Sequence, residues 1–268
     1  MIRRREGPVA ILTLARPPIN ALDQAALDQL AQAVEGAGAD GDARALVITG
    51  GIEGIFCSGG DLKYWRRVLD GKEVGQVGRE VFARIERLSK PTIAAVNGRV
   101  IGDGLGLALA CDLRIASQTA TFRLPEVAHG FIPGWGLIHR LVALLGQAKA
   151  AELLLTGRPV GAARAREMGL VTEVVAPDRL LAEASARARE MAALSPAALR
   201  AAKCALRGGD EAKCFEAVWG KADWREGIEA LLAKRIPVFA SDREGGGGCD
   251  FSGRVQADRA SGRRDPCG

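Results

Sequence analysis

The sequence predicts an α/β fold followed by a helical C-terminal region. Up to about Pro177, short apolar runs bounded by glycine or proline alternate with helical patterns. Beyond that point only helical patterns follow. With 268 residues and 48% hydrophobic content, the chain can bury one large core, or a core and a small appendage.

The run 9–14 (VAILTL) is read as the first strand, because Gly7-Pro8 and Pro17-Pro18 bound it. Leu22, Leu27, Leu30 and Val34 recur at helical spacing and stop before Gly36 and Gly38, so 23–37 is a helix. The run 45–49 (ALVIT) is a short buried strand closed by Gly50-Gly51. Phe56-Cys57-Ser58-Gly59-Gly60-Asp61-Leu62 is a glycine turn opening a helix. An amphipathic helix over 77–88 stops before Lys90-Pro91, and 92–96 (TIAAV) is a buried strand ended by Asn97-Gly98. A further turn, Gly102-Asp103-Gly104, opens a helix over 105–111 so apolar that it must be buried on all sides. Strands are expected at 113–116 and 171–175, and helices at 179–193, 196–206, 211–219 and 224–234. The segment 241–268 carries four consecutive glycines and many charges, and reads as a disordered tail. The domain plan is therefore an α/β core over 1–195, a helical region over 196–240 and the tail. No internal repeat is visible in the sequence.

Composition removes several classes. No run of 18 apolar residues exists, which excludes a membrane-spanning helix. The start, MIRRREGPVAILTLARPP, runs into Arg-Pro-Pro instead of a small-residue cleavage site, so it suits a strand better than a leader, and a cytoplasmic protein is expected. Six cysteines without a CxxC pair, and only His129 and His139, give little basis for a metal site or a disulfide framework. Two histidines also weigh against Ser-His or Cys-His catalysis. Cys57 and Cys111 read as small core residues. The net charge of +5 suits solvated helix faces or a polyanionic ligand. One tyrosine and no basic stretch interleaved with aromatics weigh against nucleic acid.

The segment 92–136 holds the chemistry. A glycine turn at a helix start presents backbone N–H groups and a positive dipole end to a developing oxyanion. A lone carboxyl near it, Glu126, can move protons. Together they point to a carbonyl compound whose enolate must be stabilised.

At this point a family resemblance emerges. The pieces are Pro18-Ile19-Asn20-Ala21-Leu22, the turn at 56–62, Ala95-Val96-Asn97-Gly98, Ala110-Cys111-Asp112-Leu113-Arg114-Ile115-Ala116, Pro125-Glu126-Val127 and Ile132-Pro133-Gly134-Trp135-Gly136. Leu155-Thr156-Gly157-Arg158 and Arg225-Glu226-Gly227-Ile228 extend it. Over 9–239 the chain resembles the crotonase (enoyl-CoA hydratase/isomerase) superfamily. The resemblance implies a crotonase-like (ClpP/crotonase) spiral of ββα units with a C-terminal helical oligomerisation region, assembled as a homotrimer or hexamer. It implies an acyl-CoA thioester substrate, whose phosphates suit the basic balance, with coenzyme A part of the substrate and no separate cofactor or metal. The oxyanion hole falls to the N–H groups of Gly60 and Asp103, the CoA contacts to Asp61, Leu62 and Lys63, and the acid/base role to Glu126.

Two positions depart from the family pattern. Hydratases of this family grip one water between two glutamates, and the first position is Gly106 here. One carboxylate suffices to shift a double bond from the 3 to the 2 position, and hydratase-lyases of aromatic acryloyl-CoA also keep one. The activity is thus enoyl-CoA hydration or isomerisation with a single glutamate. A non-catalytic acyl-CoA-binding subunit is the alternative of a different class. Gly106 is expected to open space for a bulkier acyl group, with Trp135 as a wall. Asp103 replaces a glycine and is read as a helix-start residue. The competing reading makes it a replacement carboxylate, one that would repel an enolate unless it points away, is protonated or serves another step.

Overall fold

The computed structural model describes residues 1–67 and 71–239; for 71–74 it describes the backbone. The tail read over 241–268 lies outside the described residues, as do Cys249 and Cys267. The chain forms two compact units, one over Met1–Ala192 and one beginning at Ala193.

In the first unit β1 (Ile2–Glu6) and β2 (Val9–Leu14) form an antiparallel hairpin about Gly7-Pro8, followed by α1 (Gln24–Ala39). Then a pattern recurs. β3 (Ala45–Gly50) and β4 (Gly54–Cys57) lead to α2 (Leu62–Trp65) and α3 (Gly71–Arg87). β5 (Thr92–Val96) and β6 (Gly98–Ile101) lead to α4 (Asp103–Ala110). β7 (Leu113–Ser117) and β8 (Thr121–Arg123) lead to α5 (Leu137–Thr156). The unit closes with β9 (Val160–Gly161), α6 (Ala162–Met168), β10 (Glu173–Val175) and α7 (Leu180–Ala192). The first strand of each ββα pair joins a six-stranded sheet, β1-β2-β3-β5-β7-β10; the second joins a four-stranded sheet, β4-β6-β8-β9. The chain therefore repeats in structure where its sequence shows no repeat.

The parallel strands explain why their runs are apolar without alternation: both sheet faces are covered. Leu46, Ile48, Ala94 and Val96 point into the larger core with α1, α3 and α4. Val9, Ile11, Val47, Ile93 and Ala95 point the other way, against Leu180, Ala184 and Ala188 of α7. α4 is the buried helix expected, with every residue from Gly104 to Ala110 out of solvent.

The second unit contains α8 (Pro196–Leu206), α9 (Glu211–Val218) and α10 (Ala222–Leu232). Ser195 caps α8, and its hydroxyl donates to Asp223 at 2.6 Å, tying α8 to the start of α10. Among the described residues no helix is long and apolar enough to cross a membrane.

Candidate functional site

The site is built at the junction of the β4 turn and the N-terminus of α4. Asn20 sits at φ 52 and is buried. Its Nδ2 donates to the Phe56 carbonyl at 3.0 Å and its Oδ1 accepts from the Arg16 N–H at 2.9 Å. Leu22 then lies alongside Gly60 as a short parallel bridge: the Leu22 N–H donates to Gly59 O at 2.8 Å, and the Asp61 N–H donates to Leu22 O at 2.9 Å. This pattern uses the groups on either side of Gly60 and leaves the Gly60 N–H facing the opposite way. Trp65 donates its indole N–H to Leu22 O at 2.9 Å, closing the clamp.

Two glycines bring this turn against α4. Gly59 has φ +76, and a Cβ there would lie 2.9 Å from the Asp103 nitrogen and 3.2 Å from the Gly104 nitrogen. Gly102, with φ +53, precedes the helix, and a Cβ there would overlap Glu126 Oε1. Only glycine combines these dihedrals with this closeness. Asp103 is the first residue of α4, where a backbone N–H has no helical acceptor. Among the described residues no acceptor meets the Gly60 or Asp103 N–H. The turn that carries Gly60 is thus brought against the first residue of α4, and the Gly60 and Asp103 N–H groups are both unspent.

Glu126 begins a single 3₁₀ turn, Glu126–His129, and is 5% exposed. Burial raises its carboxyl above the ordinary range, against a hydrogen bond from its own N–H. Its Oε2 is buried with no hydrogen-bond partner. The Asp103 carboxyl is driven to about 7, first by burial and then by the charge of Glu126, against the Gly134 N–H and the positive charge of Arg140. Its Oδ1 is likewise buried and unpartnered. The helix-start reading of Asp103 covers only its backbone. The side chain does not cap α4, whose preceding residue is Gly102, but accepts from the Gly134 N–H. Gly134 and Arg140 were not visible as partners in the sequence, since both lie more than a helix away. Arg140 is itself fixed by a two-pronged pair to Glu86 at 2.9 and 2.7 Å and by the Trp135 carbonyl at 2.6 Å.

At Gly106 a Cβ would lie 3.1 Å from the Phe82 ring and 3.5 Å from Leu137 Cβ, so these two side chains pack against the position. Phe82, which is fully buried, lies against the face where the family's glutamate side chain would start. Trp135 is 3% exposed and packs edge-to-face on Phe82 and Trp65. Its ring edge approaches Gly60, where a Cβ would lie 3.6 Å away, so it backs the turn from within the core.

The expected CoA contacts separate. Asp61 caps α2 through the Lys63 and Tyr64 N–H groups and pairs with Arg16 at 3.0 Å. Burial pushes its carboxyl up, but Tyr64 N–H, Arg16 and Lys63 N–H outweigh it and hold it below the usual range. Its side chain is therefore committed to the fold. Leu62, at 61% exposure, and Lys63 face solvent beside the turn. Cys57 is buried and its thiol is pushed up to about 12, chiefly by burial, which leaves it inert as a nucleophile. A cavity of about 240 Å³, lined by Leu14, Arg16, Asn20, Leu22, Asp23 and Gln29 among others, contains neither Glu126 nor Asp103. Among the described residues no group of three acidic, histidine or cysteine side chains is placed to hold a metal ion.

Comparison with known proteins agrees with this architecture. Residues 4–242 match the family model described as enoyl-CoA hydratase/isomerase. The chain is 37% identical to a 2,3-dehydroadipyl-CoA hydratase of Escherichia coli, over 89% of this chain and 98% of that protein. It is 35% identical to a crotonyl-CoA hydratase of Syntrophomonas wolfei, over 90% of this chain and 98% of that one. Among solved structures, an enoyl-CoA hydratase from Bacillus anthracis superposes with a TM-score of 0.83 at 34% identity, covering 89% of this chain and 98% of its own.

Proposed function

The chain belongs to the enoyl-CoA hydratase/isomerase family, and within it we propose that the protein adds water across C2–C3 of a 2-enoyl-CoA thioester. The observation that carries this reading is the buried Glu126 carboxyl, with a free Oε2, lying against Gly102 at the start of α4, next to the unspent Asp103 N–H. The thioester oxygen lies on the Gly60 and Asp103 N–H groups. As water adds at C3, charge moves onto that oxygen, and each preformed donor is worth about 3 kcal/mol of the barrier. Glu126 takes the proton from water. A carboxyl raised by burial suits this role, because a base poised nearer neutrality can both accept and return a proton. Water supplies the hydroxyl at C3 and a proton ends on C2 with no net oxidation or reduction, so the cycle needs no redox cofactor beside the CoA of the substrate.

The hydratase names of the relatives support hydration over isomerisation. The glycine at position 106, which supplies no second carboxylate, favours the second reading, a 3-to-2 double-bond shift by one carboxylate. The assembly proposed is a homotrimer or hexamer.

The test is incubation with 2-enoyl-CoA and, separately, 3-enoyl-CoA in deuterated water, read by mass spectrometry. Gain of one water from the 2-enoyl substrate, reduced about 10²–10⁴-fold in Glu126→Gln, is the expected result. Conversion of the 3-enoyl substrate without added water supports the isomerase. Binding without change of either substrate removes the catalytic reading.

A further inference from the structure

Resting on the hydratase reading above, we infer that the Asp103 side chain is the second catalytic carboxyl of this site, doing from the first turn of α4 what position 106 cannot do here. Four observations converge. Position 106 is a glycine with Phe82 and Leu137 packed against it, so it supplies no second carboxyl. Asp103 presents a buried, unpartnered Oδ1, while its other oxygen is held by the Gly134 N–H. Glu126 presents a buried, unpartnered Oε2, and its Oε1 abuts Gly102, the residue next to Asp103. The charge of Glu126 reaches the Asp103 carboxyl and helps to raise it. Buried polar atoms are almost always hydrogen-bonded, so two orphans on either side of the Gly102–Asp103 turn mark a place built for something else to occupy.

Two close carboxyls in a buried site hold one proton between them. That resolves the conflict of an acid beside an oxyanion hole: a neutral Asp103 does not repel the enolate. With the proton on Asp103 and Glu126 ionised, Glu126 removes a proton from water as the water oxygen bonds to C3. The C2–C3 π pair shifts toward C1, and the carbonyl pair moves onto the thioester oxygen, against the Gly60 and Asp103 N–H groups. Asp103 then delivers its proton to C2 and the enolate collapses. One water has been added, Glu126 is protonated and Asp103 ionised. Transfer of that proton from Glu126 to Asp103 restores the starting state.

The experiment compares the full-length parent, Asp103→Gly, Asp103→Asn and Glu126→Gln in hydration of crotonyl-CoA, with affinity for a saturated acyl-CoA measured in parallel. Asp103→Gly keeps the backbone donor and removes only the carboxyl; Asp103→Asn keeps the shape should the glycine variant fail to fold. The expected result is a fall in kcat of about 10²–10⁴-fold in every variant, with acyl-CoA affinity retained. Full activity in either Asp103 variant, with Glu126→Gln inactive, overturns the inference and leaves the one-glutamate hydratase standing. No hydration by the parent overturns the hydratase reading and this inference with it.

Discussion

Asp103 shows how one residue can carry two unrelated tasks. Its N–H is free because it opens a helix; its carboxyl is high because it is buried beside Glu126. The ordinary value is 3.8 and the value in the fold is about 7. Between them the unfolded chain has already released the proton while the folded chain keeps it. Stability therefore falls as pH rises through that window and levels off above it. Asp103→Asn cannot ionise and removes this slope. Urea unfolding from about pH 4 to about pH 7 should show the variant gaining on the parent, by up to about 4 kcal/mol at about 1.4 kcal/mol per pH unit. Parallel curves would place the carboxyl in water. The identity of Asp103 and its place at a helix start were legible in the sequence. The fate of its side chain was not, because it depends on Gly134, which only the tertiary fold brings near.

At the scale of elements, the junction of the β4 turn with α4 decides whether the oxyanion donors exist. Gly59→Ala places a methyl within 2.9 Å of the Asp103 nitrogen, at a backbone angle that alanine resists. The expected cost is about 1–3 kcal/mol, and the turn must retreat from α4. Thermal unfolding and hydration rate should fall together, and a loss of stability alone would separate the turn from the chemistry. Inside α4, Gly106→Glu restores the family's carboxyl in name only. Its Cβ presses on Phe82, and a charge enters a core with no partner. The melting temperature should drop without gain in rate, and Phe82→Ala in the same chain should recover part of it. Full stability in the single variant would mean that Phe82 moves aside. Long buried elements were legible because of their composition: α4 and the TIAAV strand are apolar on every side. β8 and β9, with three and two residues, carry too few side chains for any periodicity, and α5 was likewise not read. The Asn20 and Asn97 motifs were legible as family marks, yet their physical work is structural. Asn97 accepts from the Gly50 N–H at 3.1 Å and donates to Ile52 O at 2.8 Å, stapling one β-turn to the next.

At the scale of the whole molecule, the second unit poses a question that the first does not. The first unit buries its apolar residues in two cores on either side of the six-stranded sheet. The second unit has a small core of Ala201, Cys204 and Cys214, and leaves Phe215 and Trp219 more than half exposed and Leu231 and Leu232 more than 70% exposed. Trp219 packs on Phe215 and Trp224 with ring centres 5.1 and 4.7 Å apart, so this apolar surface is ordered within the unit. Aromatic and leucine side chains gathered on one small unit favour burial against another copy, at about 25 cal/mol for each Å² removed from water. The proposed trimer or hexamer supplies that cover. Sedimentation velocity on the full chain should give three or six times 28.2 kDa. The double variant Leu231→Glu, Leu232→Glu places two charges in the contact and should shift the species toward smaller assemblies at micromolar concentration. Circular dichroism should be unchanged, because neither side chain supports the fold from within. A parent that sediments as a single chain would remove the assembly, and an unchanged assembly in the variant would move the contact away from α10.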